Sequence, residues 1–346
     1  MDMYKTILTK ITSGQKLSEQ EIFELIAAIN RDEISDVQIA GFQVGLLMKG
    51  TSLEELAAFA KAMRANCVPL RPNVRSETMD TCGTGGGLST FNISTATALV
   101  AAAAGIPIAK HGSRSISSLS GSADVLEALG VNIMLTPAQA EKLIEDIGIA
   151  FIYAPLFHPV MCKVLPPEAE LGIKTIFYTI IGPLINPAFA PRHLLGVYKE
   201  ELLDTVTFVA KELGYTTAMF VYGLDGLDEI SLLGKTRINE LRDGQVRSYE
   251  IAPEDFGLER CTIDDIRTGT PEENAAVIRG VFSGEITGHR KNAIVLNAAG
   301  ALMVGDKAGS FEEGIALARE IIDSGKALAK LEALVAGSNA FREQAV

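Results

Sequence analysis

From residue 106 onward, short apolar runs alternate with helical stretches, and this alternation limits the possible fold more than any other feature. The runs are "IPIA" (106–109), "VNIML" (131–135), "IAFIYAP" (149–155), "HLLGVY" (193–198) and "TTAMFVYG" (216–223). Between them lie "SADVLEALG", "TPAQAEKLIEDIG" and "ELLDTVTFVAKELG", each with apolar residues at helical spacing. Thr136-Pro137 supplies an N-cap followed by proline at the first helical position. Strand-helix alternation of this kind builds a mostly parallel sheet with helices on its faces. The stretch 236–251 breaks the rhythm, with two alternating runs around Asp243-Gly244 that predict a β-hairpin. From Phe311 the chain reads as helix again.

The first seventy residues are different. Ser18 with Glu21, Ser35 with Gln38, and Ser52 with Glu55 each form the pattern of a capping box. Behind them run helical stripes: Ile22, Leu25, Ile26 and Ile29; Ile39, Phe42, Leu46 and Leu47; Leu56, Phe59 and Met63. Such stripes are ordinarily core. A unit this small has little interior of its own, so it also has a face to offer a partner chain. "CVPLRPNVRS" (67–76), with two prolines, reads as a linker. The fold class expected is therefore α/β: a small N-terminal helical domain (1–70) and a large α/β domain (75–346) with a mostly parallel central sheet.

Composition narrows the function. A chain of 346 residues has room for about two domains, and 47% hydrophobic with 21% charged residues is ordinary for a soluble globular protein. The net charge of −12, with no basic stripe, argues against nucleic-acid binding. Cys67, Cys82, Cys162 and Cys261 are scattered without metal-ligand spacing, which points to a reducing cytoplasm. The N-terminus has no signal-peptide pattern. The longest apolar run, 98–109, contains a glycine and a proline and is too short to span a bilayer, so no membrane partner is expected.

Four stretches carry chemistry. "DTCGTGGGLSTFNIST" (80–95) joins a strand end to a buried helix. Loop N–H groups and the positive helix end make an anion site there, although such a loop alone is more often a plain turn. "KHGSRSISSLSGSADVLEALG" (110–130) holds Lys110, Arg114 and six serines between 113 and 122, which suit phosphate oxygens better than a surface loop would require. Asp225, Asp228 and Glu229 stand at a strand end and suit Mg²⁺ shared with a polyphosphate; taken alone, a solvated acidic turn is the simpler reading. His158 is the fourth, and a lone histidine is more often structural than catalytic.

Together these stretches, with "AP.FHPVM", "ELGIKTIF..IIGPLINP" and "GLDEIS" in order, make the chain resemble the anthranilate phosphoribosyltransferase family over its whole length. The wider superfamily includes pyrimidine nucleoside phosphorylases of the same architecture. The resemblance implies a homodimer, a hinge, a segment near 168–190 that joins the helical domain, 5-phosphoribosyl 1-diphosphate as donor and Mg²⁺ as cofactor. Gly83, Thr84, Gly86 and Gly87 would cradle the diphosphate. Thr90, Asn92, Ser94 and Thr95 would hold phosphate groups. Lys110, Arg114, Ser115, Ser117, Ser118 and Ser122 would bind the donor. Ser94, Asp228 and Glu229 would reach the metal. His111, Ser113, Pro155, His158 and Glu168 would stand in the acceptor region. An aromatic amine would displace pyrophosphate through an oxocarbenium-like state, with no covalent enzyme nucleophile.

The chain departs from the family at defined places. The glycine loop lacks an aspartate and is one residue shorter. Ser113 replaces an asparagine, Leu119 a lysine, and Glu168 the arginine that pairs with the acceptor carboxylate. "TIFYTIIGPL" is one residue longer than usual, with Tyr178 or Thr179 where asparagine is the rule. Lys163, Lys174 and Arg192 are the nearest substitute cations in sequence. Three alternatives follow: a different aromatic or nitrogenous acceptor, phosphorolysis of nucleosides, or a non-catalytic binding protein.

Overall fold

The computed structural model describes residues 3–115 and 119–343. Four helices open the chain: α1 (Met3–Thr12), α2 (Glu19–Asn30), α3 (Asp36–Lys49) and α4 (Leu53–Ala65). All three expected capping boxes form, with Ser18, Ser35 and Ser52 each accepting from the backbone three residues on. Each cap satisfies orphan N–H groups that would otherwise face solvent or the core. Glu55 does more than cap: it is buried, pairs with Lys49 at 2.8 Å and accepts from Leu17 N at 2.9 Å.

The sheet has seven strands: β1 (Met79–Gly83), β2 (Ile108–Gly112), β3 (Ile149–Tyr153), β4 (Arg192–Gly196), β5 (Thr217–Gly223), β6 (Thr236–Arg242) and β7 (Gln245–Ile251). Their order is β3-β2-β1-β4-β5-β6-β7. The first five run parallel and the last two antiparallel. The expected hairpin is β6–β7; Asp243 and Gly244 take φ of 49° and 76°, as a two-residue turn of the type I′ class requires. "VNIML" makes no strand; it is irregular chain leading into a capped helix.

Around the sheet stand α5 (Ile93–Ala103), α6 (Ser122–Ala128), α7 (Pro137–Ile147), α8 (Ala154–Phe157), α9 (Pro159–Leu171), α10 (Gly182–Leu184), α11 (Glu201–Glu212), α12 (Ile263–Ile266), α13 (Pro271–Ser283), α14 (His289–Val304), α15 (Phe311–Asp323) and α16 (Lys326–Glu343). Helix α14 is buried on nearly every side, as a helix enclosed between layers must be. Residues Phe177–Ile181 wind as a π-helix. This is the stretch in which the resemblance implies one residue more than the family's run, and a π turn absorbs one extra residue without breaking the helix.

The helical stripes are covered within the chain. Ile22, Leu25, Phe42 and Phe59 pack with Val160 and Val164 of α9, with Phe177 of the π-helix and with Val206 of α11. Phe42, Phe59 and Phe177 meet with ring centroids 5.7–6.0 Å apart. Leu47 is the exception to the stripe reading, because it is 51% exposed. It joins Val37, Val44 and Met48 on an outer face of α3. The 67–76 linker is irregular but tied down: Leu70 is buried and donates its N–H to Pro187 O at 2.9 Å.

Candidate active site

The strand order turns at β1: β2 and β3 lie to one side, β4 and β5 to the other. Ligands of open parallel sheets sit outside the carboxyl ends of the strands at such a switch point. A cavity of about 810 Å³ occupies that place. It is lined by the loop after β1, the end of β2, α8 and α9, the π-helix, and the turn after β5.

The glycines of 83–87 have two separate reasons. A Cβ on Gly83 would collide with the Asp228 carboxylate, and one on Gly87 with Gly226 O. Closeness here is imposed by the chain's own turn 225–229 as well as by room for a ligand. Gly85, at φ 66°, takes the left-handed conformation that points its N–H at Asp228 Oδ2, 2.8 Å away. Thr84 is part of the frame: its N–H reaches Gly196 O at 2.9 Å, and its hydroxyl accepts from Tyr198 N at 3.1 Å.

Thr90, Asn92 and Ser94 line the cavity, but Thr95 does not. One residue of helix turns its side chain away, and its buried hydroxyl has no partner among the described residues. Asn92 is committed elsewhere: its amide bridges Ser120 O at 3.2 Å, Ser120 Oγ at 3.1 Å and Asn274 Nδ2 at 2.9 Å. It locks the serine loop to α5 rather than standing free for phosphate.

Lys110, His111, Ser113, Arg114, Ser115, Ser120 and Ser122 all reach the cavity. Ser117 and Ser118 lie outside the described residues. Lys110 is buried, donates to Thr81 O at 2.7 Å, and is lowered in pKa by burial against the pull of Asp80. Arg114 is held by Asp124 at 2.8 Å and Glu127 at 2.6 Å. Leu119 is exposed.

Asp228 and Glu229 project into the same space. Burial raises both, and Glu229, with Asp228 beside it, is pushed up to about 8. Neither has an ion-pair partner among the described residues. Two adjacent oxygen ligands in want of positive charge, with Ser94 next to them, fit Mg²⁺. Asp225 is not part of this set: it accepts from Leu227 N at 3.1 Å and Ser231 Oγ at 2.6 Å and folds the turn. Beneath the site Asp80 is fully buried and pushed up to about 6 by burial. Its oxygens are taken by Thr81 N, His111 N and Asn186 Nδ2 at 2.7, 3.1 and 2.7 Å, so its nearness to Cys82 and His193 makes no metal site.

The other half of the cavity is apolar. Pro155 and His158 line it as expected, followed by Met161, Leu165 and Ala169 at helical spacing along α9. His158 Nε2 faces His111 Nε2 at 3.1 Å. Burial lowers His111 to about 3 and His158 well below its ordinary value, so both are neutral.

Glu168 is not in the cavity. It lies at the border between the cavity stripe and the buried residues Val160, Val164 and Pro167 of α9, one heptad on from Met161, and is 3% exposed. There it accepts from Gln43 Nε2 at 3.1 Å, from Thr175 N at 3.3 Å and from the Thr175 hydroxyl. The expectation that it faces the acceptor is overturned by its partners: Met161, Cys162, Leu165, Pro166 and Ala169 line the cavity, while the Glu168 carboxylate is turned aside to Gln43 of α3 and to Thr175. Of the substitute cations, Lys163 is held by Asp32 and Arg192 by Glu77 and Asp306. Lys174 lines the cavity, with Tyr178 of the π-helix. The stripe on α9 and the extra residue at 177–181 are the sequence signals for this wall.

Two family models match the chain: the glycosyl transferase family helical bundle domain over residues 5–67, and the a/b domain of the same family over 75–328. The chain is 48% identical over 340 residues to an anthranilate phosphoribosyltransferase of Acetivibrio thermocellus, covering 98% of each protein. It is similar to the crystal structure of the Thermus thermophilus anthranilate phosphoribosyltransferase, with a TM-score of 0.89, 41% identity, and coverage of 98% of this chain and 100% of that one. The Saccharomyces cerevisiae enzyme in complex with PRPP and Mg gives a TM-score of 0.88 at 28% identity, covering 97% of this chain and 98% of that one.

Proposed function

The chain belongs to the anthranilate phosphoribosyltransferase family, and on that premise we propose that it transfers the 5-phosphoribosyl group of 5-phosphoribosyl 1-diphosphate to the amine of anthranilate, a step of tryptophan biosynthesis. The observation that carries this reading is the division of one cavity. Backbone amides, hydroxyls, Lys110 and two acids line one half, and the apolar face of α9 with the π-helix lines the other. A polyanion and an aromatic ring meet where the halves join.

Donor phosphates sit on the amides of Gly86 and Gly87 and the hydroxyls of Thr90 and Ser94, with Lys110, Arg114 and the serines of 113–122 supplying charge and donors. Asp228, Glu229 and Ser94 would hold Mg²⁺, which would supply charge neutralisation to the pyrophosphate. The amine attacks the anomeric carbon as the carbon–oxygen bond to pyrophosphate breaks, and then loses a proton. The chain contributes position and a fixed field; no nucleophile is required. The neutral His111–His158 pair gives the acceptor half a polar wall without charge.

The reversed charge at position 168 is turned away from the cavity, which removes one ground for suspecting a different ring; Ser113 still lines the cavity. The exposed face of α3 (Val37, Val44, Leu47, Met48) supports a homodimer joined through the helical domain. Four unpaired cysteines support a reducing compartment, the cytoplasm. No helix among the described residues is long and apolar enough to cross a membrane.

Loss of anthranilate fluorescence tests the activity. Consumption that needs both the diphosphate donor and Mg²⁺ is expected. Release of free base from nucleosides with inorganic phosphate, and no consumption of anthranilate, overturns the reading in favour of a phosphorylase.

A further inference from the structure

We propose that Lys174 is the residue that reads the acceptor's carboxylate, an assignment that rests on anthranilate as the acceptor. Three cations line the cavity among the described residues: Lys110, Arg114 and Lys174. Lys110 lies under the donor half, bonded to Thr81 O and within the field of Asp80 and Glu229. Arg114 is already held by two carboxylates. Lys174 has no carboxylate partner among the described residues. Its Nζ rests 4.9 Å from the centroid of the Tyr178 ring.

The acids that line the cavity are Asp228 and Glu229, both on the donor side. An aromatic acid in the apolar half therefore meets one cation and no competing anion among the described residues. A cation over a ring is held more weakly than one that donates to a carboxylate, so the ammonium leaves Tyr178 when an acid arrives.

Glu168 has a part in this as a positioning residue. Its buried carboxylate takes the N–H and hydroxyl of Thr175, the residue next to Lys174, and is itself held from α3 by Gln43. The turn from Gly172, which closes α9 at φ 65°, is pinned in this way at the base of the cavity rim. The acid that looks like a lost acceptor contact anchors the turn that carries the replacement.

The test is steady-state kinetics with anthranilate and with aniline, which lacks the carboxylate, at saturating donor and Mg²⁺. Lys174→Ala is expected to raise the KM for anthranilate by about 10-fold or more. The KM for donor, the thermal midpoint and the use of aniline should stay as in wild type. Lys174→Arg should restore most of the affinity. An unchanged KM for anthranilate in Lys174→Ala overturns the assignment and leaves the activity standing. Equal losses for anthranilate, aniline and donor also overturn it, as the mark of general damage. Wild-type protein that ignores anthranilate overturns both.

Discussion

His111 and His158, far apart in the chain, bring their Nε2 atoms within 3.1 Å of each other inside the cavity wall. One of the two nitrogens carries the shared proton and the other accepts it. Charging either ring would place a cation in a buried site near Arg64, and charging both would set two donors face to face. The pair belongs to the neutral state.

This has a signed consequence for stability. Both histidines have folded pKa values below the unfolded value of about 6.5. The stability they allow is fully present above pH 6.5 and is lost as pH falls, because the unfolded chain then takes up protons that the folded one refuses. The loss between pH 7.5 and 5 should be about 2 kcal/mol per histidine. Asp80, raised to about 6, acts in the opposite sense, so the comparison must be with His111→Gln/His158→Gln, which keeps Asp80. Urea midpoints at the two pH values should diverge less in the variant than in wild type. Equal divergence contradicts a neutral pair.

Glu168→Arg, which restores the family residue, should not improve anthranilate turnover. It would place a cation among the donors Gln43 Nε2 and Thr175 N, where no acceptor replaces the lost carboxylate. A loss of about 2 kcal/mol or more is expected. Chemical denaturation of the variant beside Glu168→Gln, which keeps one acceptor oxygen, separates charge from shape. A gain in kcat/KM for anthranilate in the arginine variant contradicts the buried placement.

Asp228→Asn/Glu229→Gln should abolish donor-dependent turnover while folding remains intact. Removing two adjacent half-buried carboxylates that repel each other and have no ion-pair partner among the described residues should also raise stability, by about 1 kcal/mol. A thermal scan without Mg²⁺ reads this gain. A variant that melts well below wild type, or one with full turnover, counts against a metal site at these residues.

Val44→Asp/Met48→Asp should convert the proposed dimer into a monomer, since it puts two carboxylates on an outer apolar face of α3. A stable dimer of this kind buries upwards of about 1,000 Å². Sedimentation at micromolar concentration gives the mass directly. Wild type that sediments as one chain removes the basis of the proposal.

Much of the architecture is open to reading because local rules act over a few residues. Ser18-x-x-Glu21 announces its helix, Thr136-Pro137 the next, and Asp243-Gly244 the hairpin, since each motif satisfies its own backbone groups. The site residues are legible in type but not in facing. Ser94 and Thr95 are neighbours, yet only the first reaches the cavity. Position along a motif misplaces Glu168, because Gln43, over a hundred residues away in the chain, and Thr175 draw its carboxylate out of the cavity. The tightness at Gly83 and Gly87 reads in sequence as room for a ligand alone, because the turn at 225–229 that crowds them lies over a hundred residues away in the chain. Leu47 belongs to its stripe by spacing, but the bundle's cover ends one residue before it.

The π-helix at Phe177–Ile181 shows how this chain can change its substrate without relearning its chemistry. An inserted residue in a strand or a phosphate loop would shift everything after it. Here the surplus that the resemblance implies would be taken up within five residues, and β4 pairs in register with β1 and β5 from Arg192 onward. The wall that meets the acceptor can therefore lengthen, shorten or exchange side chains while the donor half stays fixed. For a lineage under selection, that makes the acceptor side a place where trial variants survive, and new ring specificities should arise there before any change in the glycine loop.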